Sequence, residues 1–336
     1  KKKENKMRTL SNEQNIPLSL AVYLANDNYD FVENTISATG LMRPIRQQVL
    51  SRRLPPEHSV TDISVLVQSR TGSSIHDGLE QSWLNGNYKE AMAKLGYAEN
   101  VISRIQVNPT DLELKPDGIP VYLEQRMFRE FMGKTISGKY DFIGEGRLED
   151  LKTTTTFTWV NNSKSEDYRL QGSIYNWLDK ALPIPRITET FMAIQMVFTD
   201  WKAYEAARNP KYPQHRTEQK IIQLLSLSDT ETYIRDKINL LDASKQTPED
   251  QLPRCTDKEL WRKPAKYKYY KDPLKTARST KNFDSSADAF DYMQKNGGGQ
   301  GIVIEVPGEV IACKYCAAFP ICTQKDEYLA NNSLRL

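Results

Sequence analysis

The sequence predicts an α/β protein in which a mixed sheet is flanked by helices and followed by a C-terminal lobe stapled by cysteines. Three observations predict it. Helical periodicity dominates the first hundred residues, and from Gly118 it gives way to strand-like runs separated by glycine turns. A helix and a further strand come next, an order that suits a mixed sheet with helices packed on it. All four cysteines, Cys255, Cys313, Cys316 and Cys322, fall in the last third of the chain.

The bulk numbers are compatible with this. The chain has 336 residues, 39% hydrophobic and 26% charged, the composition of an ordinary water-soluble protein with length for one core and a sizeable extension. Its apolar runs are too short to span a bilayer. No apolar stretch of a secretory signal follows the basic start, so a cytoplasmic setting is expected, in a bacterium or a phage-infected host. A net charge of only +3 excludes a uniformly basic nucleic-acid coat. Charge is clustered instead: five Lys/Arg in residues 1–8, and eight between Arg262 and Lys281 against the single acid Asp272. Such clustering can form a local phosphate-binding patch.

Element by element, residues 1–30 are polar and read as a poorly ordered basic segment, with one short structured stretch at Leu18–Leu24. A helix is expected from Ile36, capped by Ser37 or Thr39 and broken by "PPEHS". A second helix carries Ile75, Leu79 and Trp83 at i, i+4 and i+8, and more helix runs through "YKEAMAKLGY". "IPVYLEQRMFREF", "KTISGKYDFI" and "RLEDLKTTTTF" read as three strands, with turns at Gly133 and at 144–146. "SEDYRLQGSIYNWLDKAL" reads as a helix ended by "PIP", "ITETFMAIQMVF" as a strand, and "TETYIRDKINLLDASK" as an amphipathic helix. A Gly-rich turn at 297–301 precedes a short strand, "GIVIEV". The expected organisation is a core over 31–249, a cysteine lobe over 250–326 and a tail over 327–336.

Within the strands, Asp150 and Lys152 are two residues apart and point to one face, with Glu149 and Leu151 on the other. A two-residue turn at Glu145–Gly146 pairs Gly144 with Arg147 and sets Asp141 opposite Asp150. A four-residue loop keeps that pairing, whereas an odd loop would set Asp141 opposite Glu149, away from Lys152. The lysine therefore favours Asp150 over Glu149 as Asp141's partner, unless a bulge intervenes. Two carboxylates and a lysine that converge can hold a divalent cation, position a water and neutralise charge on a phosphate.

"SGKYDF…LEDLKTT" resembles the G-x-x-D…D-x-K-T core of PD-(D/E)xK nucleases. Other pieces resemble their RecB-like branch, which includes phage exonucleases, AddB and the CRISPR-adaptation nucleases. "GSSIH", ending in His76, is similar to the branch's helical G-x-x-x-H. Glu124 in "VYLEQ" stands where the branch has a strand glutamate, and "QGSIY", from Gln171 to Tyr175, resembles its Q-x-x-x-Y. The resemblance covers roughly residues 36–200. It implies a restriction-endonuclease-like sheet, and Mg²⁺ or Mn²⁺ held by His76, Asp141, Asp150 and Glu124. It further implies that Lys152 acts at the attacking water or phosphate, and that Gln171 and Tyr175 support the site or contact DNA. Singly, each residue has a plainer reading: D-x-K is common at strand ends, a lone histidine is more often structural, and Gln171 and Tyr175 share a helix face as countless i, i+4 pairs do.

The cysteines form C-x2-C-x5-C from Cys313 to Cys322, with Cys255 separated from Cys313 by 57 intervening residues. In a chain without export signals, such a group suggests a metal site before disulfides. Four thiolates can hold a 4Fe–4S cluster or one Zn²⁺. Zinc sites commonly show two close pairs, so the lone Cys255 favours the cluster. Iron–sulfur RecB-like nucleases are similar in having one distant cysteine and a C-terminal trio. There the distant cysteine precedes the nuclease motifs; here it follows them.

"WRKPAKYKYYKDPLKTARSTK" interleaves cations with aromatic rings, a pattern that can track a phosphate backbone and stack on unpaired bases. Lys266, Tyr267, Lys268, Tyr270 and Lys271 are the DNA-binding candidates; tyrosines packed against the lobe are the plain alternative. The reading is a metal-dependent DNA nuclease acting on ends or single strands, in recombination, repair or phage DNA processing, with room for a partner protein. Two alternatives stay open: a catalytically silent nuclease-like module that binds DNA or protein, and a zinc-organised DNA-binding protein.

Overall fold

The computed structural model describes residues 9–26, 32–55 and 60–335. The first five residue-level elements are β1 (Thr9–Ser11), α1 (Leu18–Ala25), β2 (Thr35–Ser37), α2 (Ala38–Met42) and α3 (Ile45–Arg53). The helix expected from Ile36 is thus a strand and two helices. Ser37 does cap, its Oγ accepting from Gly40 N at 2.9 Å. Pro44 then ends the run, because a proline disfavours helical backbone in the residue before it, and Pro44 itself becomes the N-cap of α3. β1 lies in the stretch expected to be poorly ordered, and α1 falls on the short structured stretch expected at Leu18–Leu24; the basic residues 1–8, and most of "PPEHS", lie outside the described residues.

β3 (Val60–Asp62), α4 (Val67–Leu84), α5 (Tyr88–Lys94), α6 (Glu99–Ile102) and β4 (Ile105–Val107) lead into the strands. These are β5 (Ile119–Leu123), β6 (Arg126–Phe131), β7 (Lys134–Lys139), β8 (Phe142–Gly144) and β9 (Arg147–Thr154). Then come α7 (Thr156–Val160), α8 (Ser165–Asp179), β10 (Phe191–Phe198), α9 (Ala203–Ala206), β11 (Thr217–Gln223) and α10 (Leu227–Ser244). Two expected strands are each broken in two, at Glu124–Gln125 and at Tyr140–Asp141. The chain stays paired through both breaks, since Glu124 N donates to Asp141 O at 3.1 Å and Tyr140 N to Gln125 O at 3.3 Å. Glu124 takes the left-handed φ of 51° that bends the strand, a conformation that costs a non-glycine residue roughly 1–3 kcal/mol.

Besides a short parallel pair, β1 with β3, these strands form two sheets that carry the site. A six-stranded mixed sheet runs β11-β10-β9-β8-β5-β4, with β9 and β10 parallel, and a three-stranded sheet runs β2-β7-β6. Glu145 and Gly146 both have positive φ, and Gly144 pairs with Arg147, the register expected from a two-residue turn. α8 covers the sheets: Ile174, Trp177 and Leu178 are buried with Ile136, Leu148, Met192 and Ile194. Its approach to β7 depends on Gly138, where a Cβ would lie 2.7 Å from Leu178 and 2.8 Å from the Tyr175 ring. The face of α4 carrying Leu79 and Trp83 packs on Ile105, Val121 and Leu123.

The chain divides into two units, Lys1–Met42 with Val60–Asn239, and Arg43–Ser59 with Leu240–Leu336. Residues 43–59 therefore belong with the C-terminal lobe, where the sequence reading had kept them in the core. The second unit contains β12 (Lys266–Tyr270), β13 (Lys281–Phe283), α11 (Ser286–Gly297), β14 (Ile302–Val306) and α12 (Gln324–Ala330). Its sheet is antiparallel in the order β13-β12-β14. β11, β13 and α11 had no counterpart in the sequence reading. Gly298, Gly299 and Gly301 carry the positive φ values of the expected turn.

Candidate active site

The bend that interrupts the β5–β6 and β7–β8 pair sets Glu124 and Asp141 side by side. α4 brings His76 to them: its Nδ1 is 3.6 Å from Glu124 Oε1 and 3.5 Å from Asp141 Oδ2. Gly72, one turn earlier on α4, makes this approach close, since a Cβ there would stand 3.0 Å from Thr153 Oγ1 of β9. One ligand atom each from His76, Glu124 and Asp141 falls within 4.8 Å of the others. Asp141 also reaches across the hairpin, its Oδ2 accepting from Leu151 N at 2.7 Å.

Asp150 and Lys152 share a face of β9 as their spacing requires. Lys152 Nζ lies 2.5 Å from Asp150 Oδ2, and Asp150 is 1% exposed. Asp150 Oδ1 is buried without a hydrogen-bond partner. Glu149 points elsewhere and bonds Arg147 and Gln195. The site is crowded with negative charge. Burial, and next the charge of Asp150, push the Asp141 carboxyl up to about 7. Burial also works against ionised Glu124, but hydrogen bonds from His76 and Lys139 outweigh it and hold its carboxyl below the usual range. The hydrogen bond to Glu124 pulls His76 upward against burial. Burial opposes the Lys152 ammonium, yet Asp150 and Asp141 more than compensate and keep it protonated.

α8 closes the site. Tyr168, Gln171 and Tyr175, at i, i+3 and i+7, lie on one helix face. Gln171 Nε2 donates to Tyr175 Oη at 2.9 Å, both residues being buried. Burial, and next the charge of Asp150, raise the Tyr175 phenol so that it keeps its proton as a donor. Two neighbours had not been singled out from the sequence. Lys139 Nζ sits 2.6 Å from Glu124 Oε2, and Lys152 Nζ lies 5.8 Å from the Tyr168 ring centroid. Helical spacing from Gln171 would have found Tyr168. Lys139 stands two residues before Asp141, so strand alternation puts the two on one face and would have found it.

The second unit gathers the cysteines. Gln324, two residues after Cys322, clasps the backbone of Cys255: its Oε1 accepts from Cys255 N at 2.9 Å and its Nε2 donates to Cys255 O at 3.0 Å. Cys255 and Cys313 pack against Leu260, Val310, Tyr328 and Leu334. Burial and then Glu259 push the Cys255 thiol up to about 12, with the charges of Cys322, Cys316 and Cys313 adding to this. Burial likewise raises Cys316, against backbone N–H groups of Ala318 and Phe319 directed at its sulfur.

β12 holds Lys266, Tyr267, Lys268 and Tyr270, with Lys271 just beyond it, and the structure separates these candidates. Tyr270 is 6% exposed, so its ring cannot stack on a base, and it is withdrawn as a DNA contact because its side chain is packed inside the second unit. Lys266 pairs with Asp284. Tyr267 and Lys268 are half-buried and Lys271 is exposed.

No family model matches the chain, and no curated protein matches it. Two solved structures resemble parts of it. SSO0001 is 19% identical with a TM-score of 0.40, covering 68% of this chain and 87% of that one. A "Putative exonuclease" from Eubacterium rectale is 13% identical with a TM-score of 0.30, covering 69% and 83%. Likenesses this distant carry no argument about activity, which must come from the side chains. Among the described residues, no helix is long and apolar enough to cross a membrane.

Proposed function

We propose that this chain is a divalent-metal-dependent DNA nuclease whose active site is the bent hairpin with α4 and α8. The observation that carries the proposal is the convergence of His76, Glu124 and Asp141 beside the buried Asp150–Lys152 pair. The donor set fits a hard cation. It offers carboxylate oxygens and one imidazole, an unpartnered buried oxygen on Asp150, and an Asp141 carboxyl raised by burial and next by the charge of Asp150. Asp141, Asp150, Glu124 and His76 would hold Mg²⁺ or Mn²⁺, which when bound supplies Lewis-acid polarisation and a more acidic water. Lys152 contributes a fixed ammonium that offsets charge building on the phosphate during attack. Lys139 balances Glu124. The Gln171–Tyr175 pair presents a neutral hydroxyl donor and keeps the α8 side of the site in one geometry. Hydrolysis of the phosphodiester leaves a phosphomonoester and a free hydroxyl, with water as the only co-reactant.

In the second unit, Cys255, Cys313, Cys316 and Cys322 are proposed to hold a 4Fe–4S cluster. Support comes from the Gln324 clasp and the N–H groups aimed at Cys316. Such ligation contributes folding energy to a lobe whose own apolar cluster is small.

The test is digestion of labelled DNA, circular and linear, single- and double-stranded, with Mg²⁺, Mn²⁺ or EDTA. Metal-dependent cleavage that needs free ends identifies an exonuclease, and cleavage of circles an endonuclease. DNA binding without cleavage in either metal would overturn the enzymatic reading in favour of a silent binding module. Iron analysis of anaerobically purified protein tests the cluster; one zinc and no iron would replace it.

A further inference from the structure

We propose that Arg46 is a built-in counter-ion of the cysteine-held cluster, donating a hydrogen bond to the ligand sulfur of Cys322 and thereby raising the cluster's reduction potential. The proposal rests on the cluster reading above. Arg46 lies on α3, is 3% exposed, and belongs to the same unit as the cysteines. Each of its three nitrogens has a partner. Nε points at Cys322 Sγ at 3.3 Å, Nη1 at Leu252 O at 3.2 Å, and Nη2 at Thr323 Oγ1 at 3.5 Å and at Glu249 Oε1. Glu249 is itself fixed from the far side, accepting from Thr323 N at 3.1 Å and Thr323 Oγ1 at 2.6 Å. One buried side chain therefore ties together three segments far apart in sequence: α3, the stretch leading to Cys255, and the stretch leaving Cys322.

A buried guanidinium is costly unless each donor meets a good acceptor. Three of its contacts are oxygens; the fourth is a sulfur, and a neutral thiol is a weak acceptor. The same sulfur as a metal-bound thiolate is anionic, and the contact becomes a charge-assisted bond. The arrangement makes physical sense for an anionic sulfur. Four thiolates around an iron–sulfur core leave net negative charge in the lobe, and hydrogen bonds to ligand sulfurs set cluster potentials. Arg262 and Lys325, whose charges act on Cys313, extend the positive surround to a second ligand. Glu249 holds the guanidinium plane so that Nε, and no other donor, faces the sulfur. Lysine cannot reproduce this, because an ammonium lacks the planar fork that satisfies three directions at once.

The experiment uses the full chain purified anaerobically. Iron and sulfide are assayed, and the midpoint potential is measured by dithionite titration followed by electron paramagnetic resonance. Two variants are compared with the parent: Arg46→Lys, and Arg46→Met combined with Glu249→Gln, which leaves no orphaned charge. The expected result is retained iron with a more negative midpoint in both variants. Iron content and potential unchanged from the parent would overturn the proposal. A second measurement needs no variant. Parent protein carrying ¹⁵N-arginine should show a weak ¹⁵N coupling to the reduced cluster in pulsed resonance spectra, and absence of that coupling also overturns it, even if both variants are insoluble. A parent without iron instead refutes the cluster reading, and the proposal falls with it.

Discussion

Replacing Gly138 with alanine tests the packing of α8 against the hairpin that carries Asp141 and Asp150. The added Cβ would lie 2.7 Å from Leu178 Cδ1, and 2.8 and 2.9 Å from two ring carbons of Tyr175. Ordinary contact begins near 3.4 Å, so α8 must retreat by about 0.7 Å or the strand must shift as far. Neither is easy. Leu178 and Ile174 are fully buried, Trp177 is 1% exposed, and Ser137, the neighbour of Gly138 in β7, is fully buried as well. Overpacking of a rigid interior of this kind costs roughly 1–3 kcal/mol. Urea denaturation should show that loss as a lower midpoint with an unchanged slope. Cleavage should fall further than stability does, because the displaced residue is Tyr175, and a shift near 1 Å at a positioning group can cost on the order of 10²-fold in rate. Stability within about 0.5 kcal/mol of the parent, together with unchanged turnover, would refute the close approach of α8 to β7.

Three other substitutions probe separate points. Asp150→Asn keeps the side chain's shape and removes its charge; turnover should be lost while DNA binding persists, and near-parent cleavage would remove Asp150 from the site. Lys152→Arg should leave activity well below the parent, because a planar fork cannot take the place of a compact ammonium 2.5 Å from Asp150; parent-level rates would show that any diffuse positive charge suffices. Tyr270→Ala should destabilise the second unit by about 3 kcal/mol, as loss of a buried aromatic ring does, with DNA affinity at matched folded fraction unchanged. A selective drop in single-strand affinity in that variant would restore Tyr270 as a stacking residue.

Much of the hairpin was legible in the sequence because strand geometry has a strict period of two. That period put Asp150 and Lys152 on one face, and the Glu145–Gly146 turn, with positive φ at both residues, set the Gly144–Arg147 register from which Asp141 follows. Helical spacing likewise put Gln171 and Tyr175 on one face of α8, where the coordinates show their hydrogen bond. Other features depended on contacts between residues distant in the chain. The breaks at Glu124 and Asp141 carry no local turn signal; a left-handed glutamate persists there only because surrounding strands hold it. Alternation puts Lys139 on the face of Asp141, but its ion pair with Glu124 was decided by the contact between the two bent strands. Tyr270 is part of a basic, aromatic strip in the sequence, and only the packing of the second unit buried it. Arg46 lies 276 residues from the cysteine it bonds, a separation over which no periodicity or spacing carries information. Local pattern could determine which residues share a face; which faces meet was decided by packing in three dimensions.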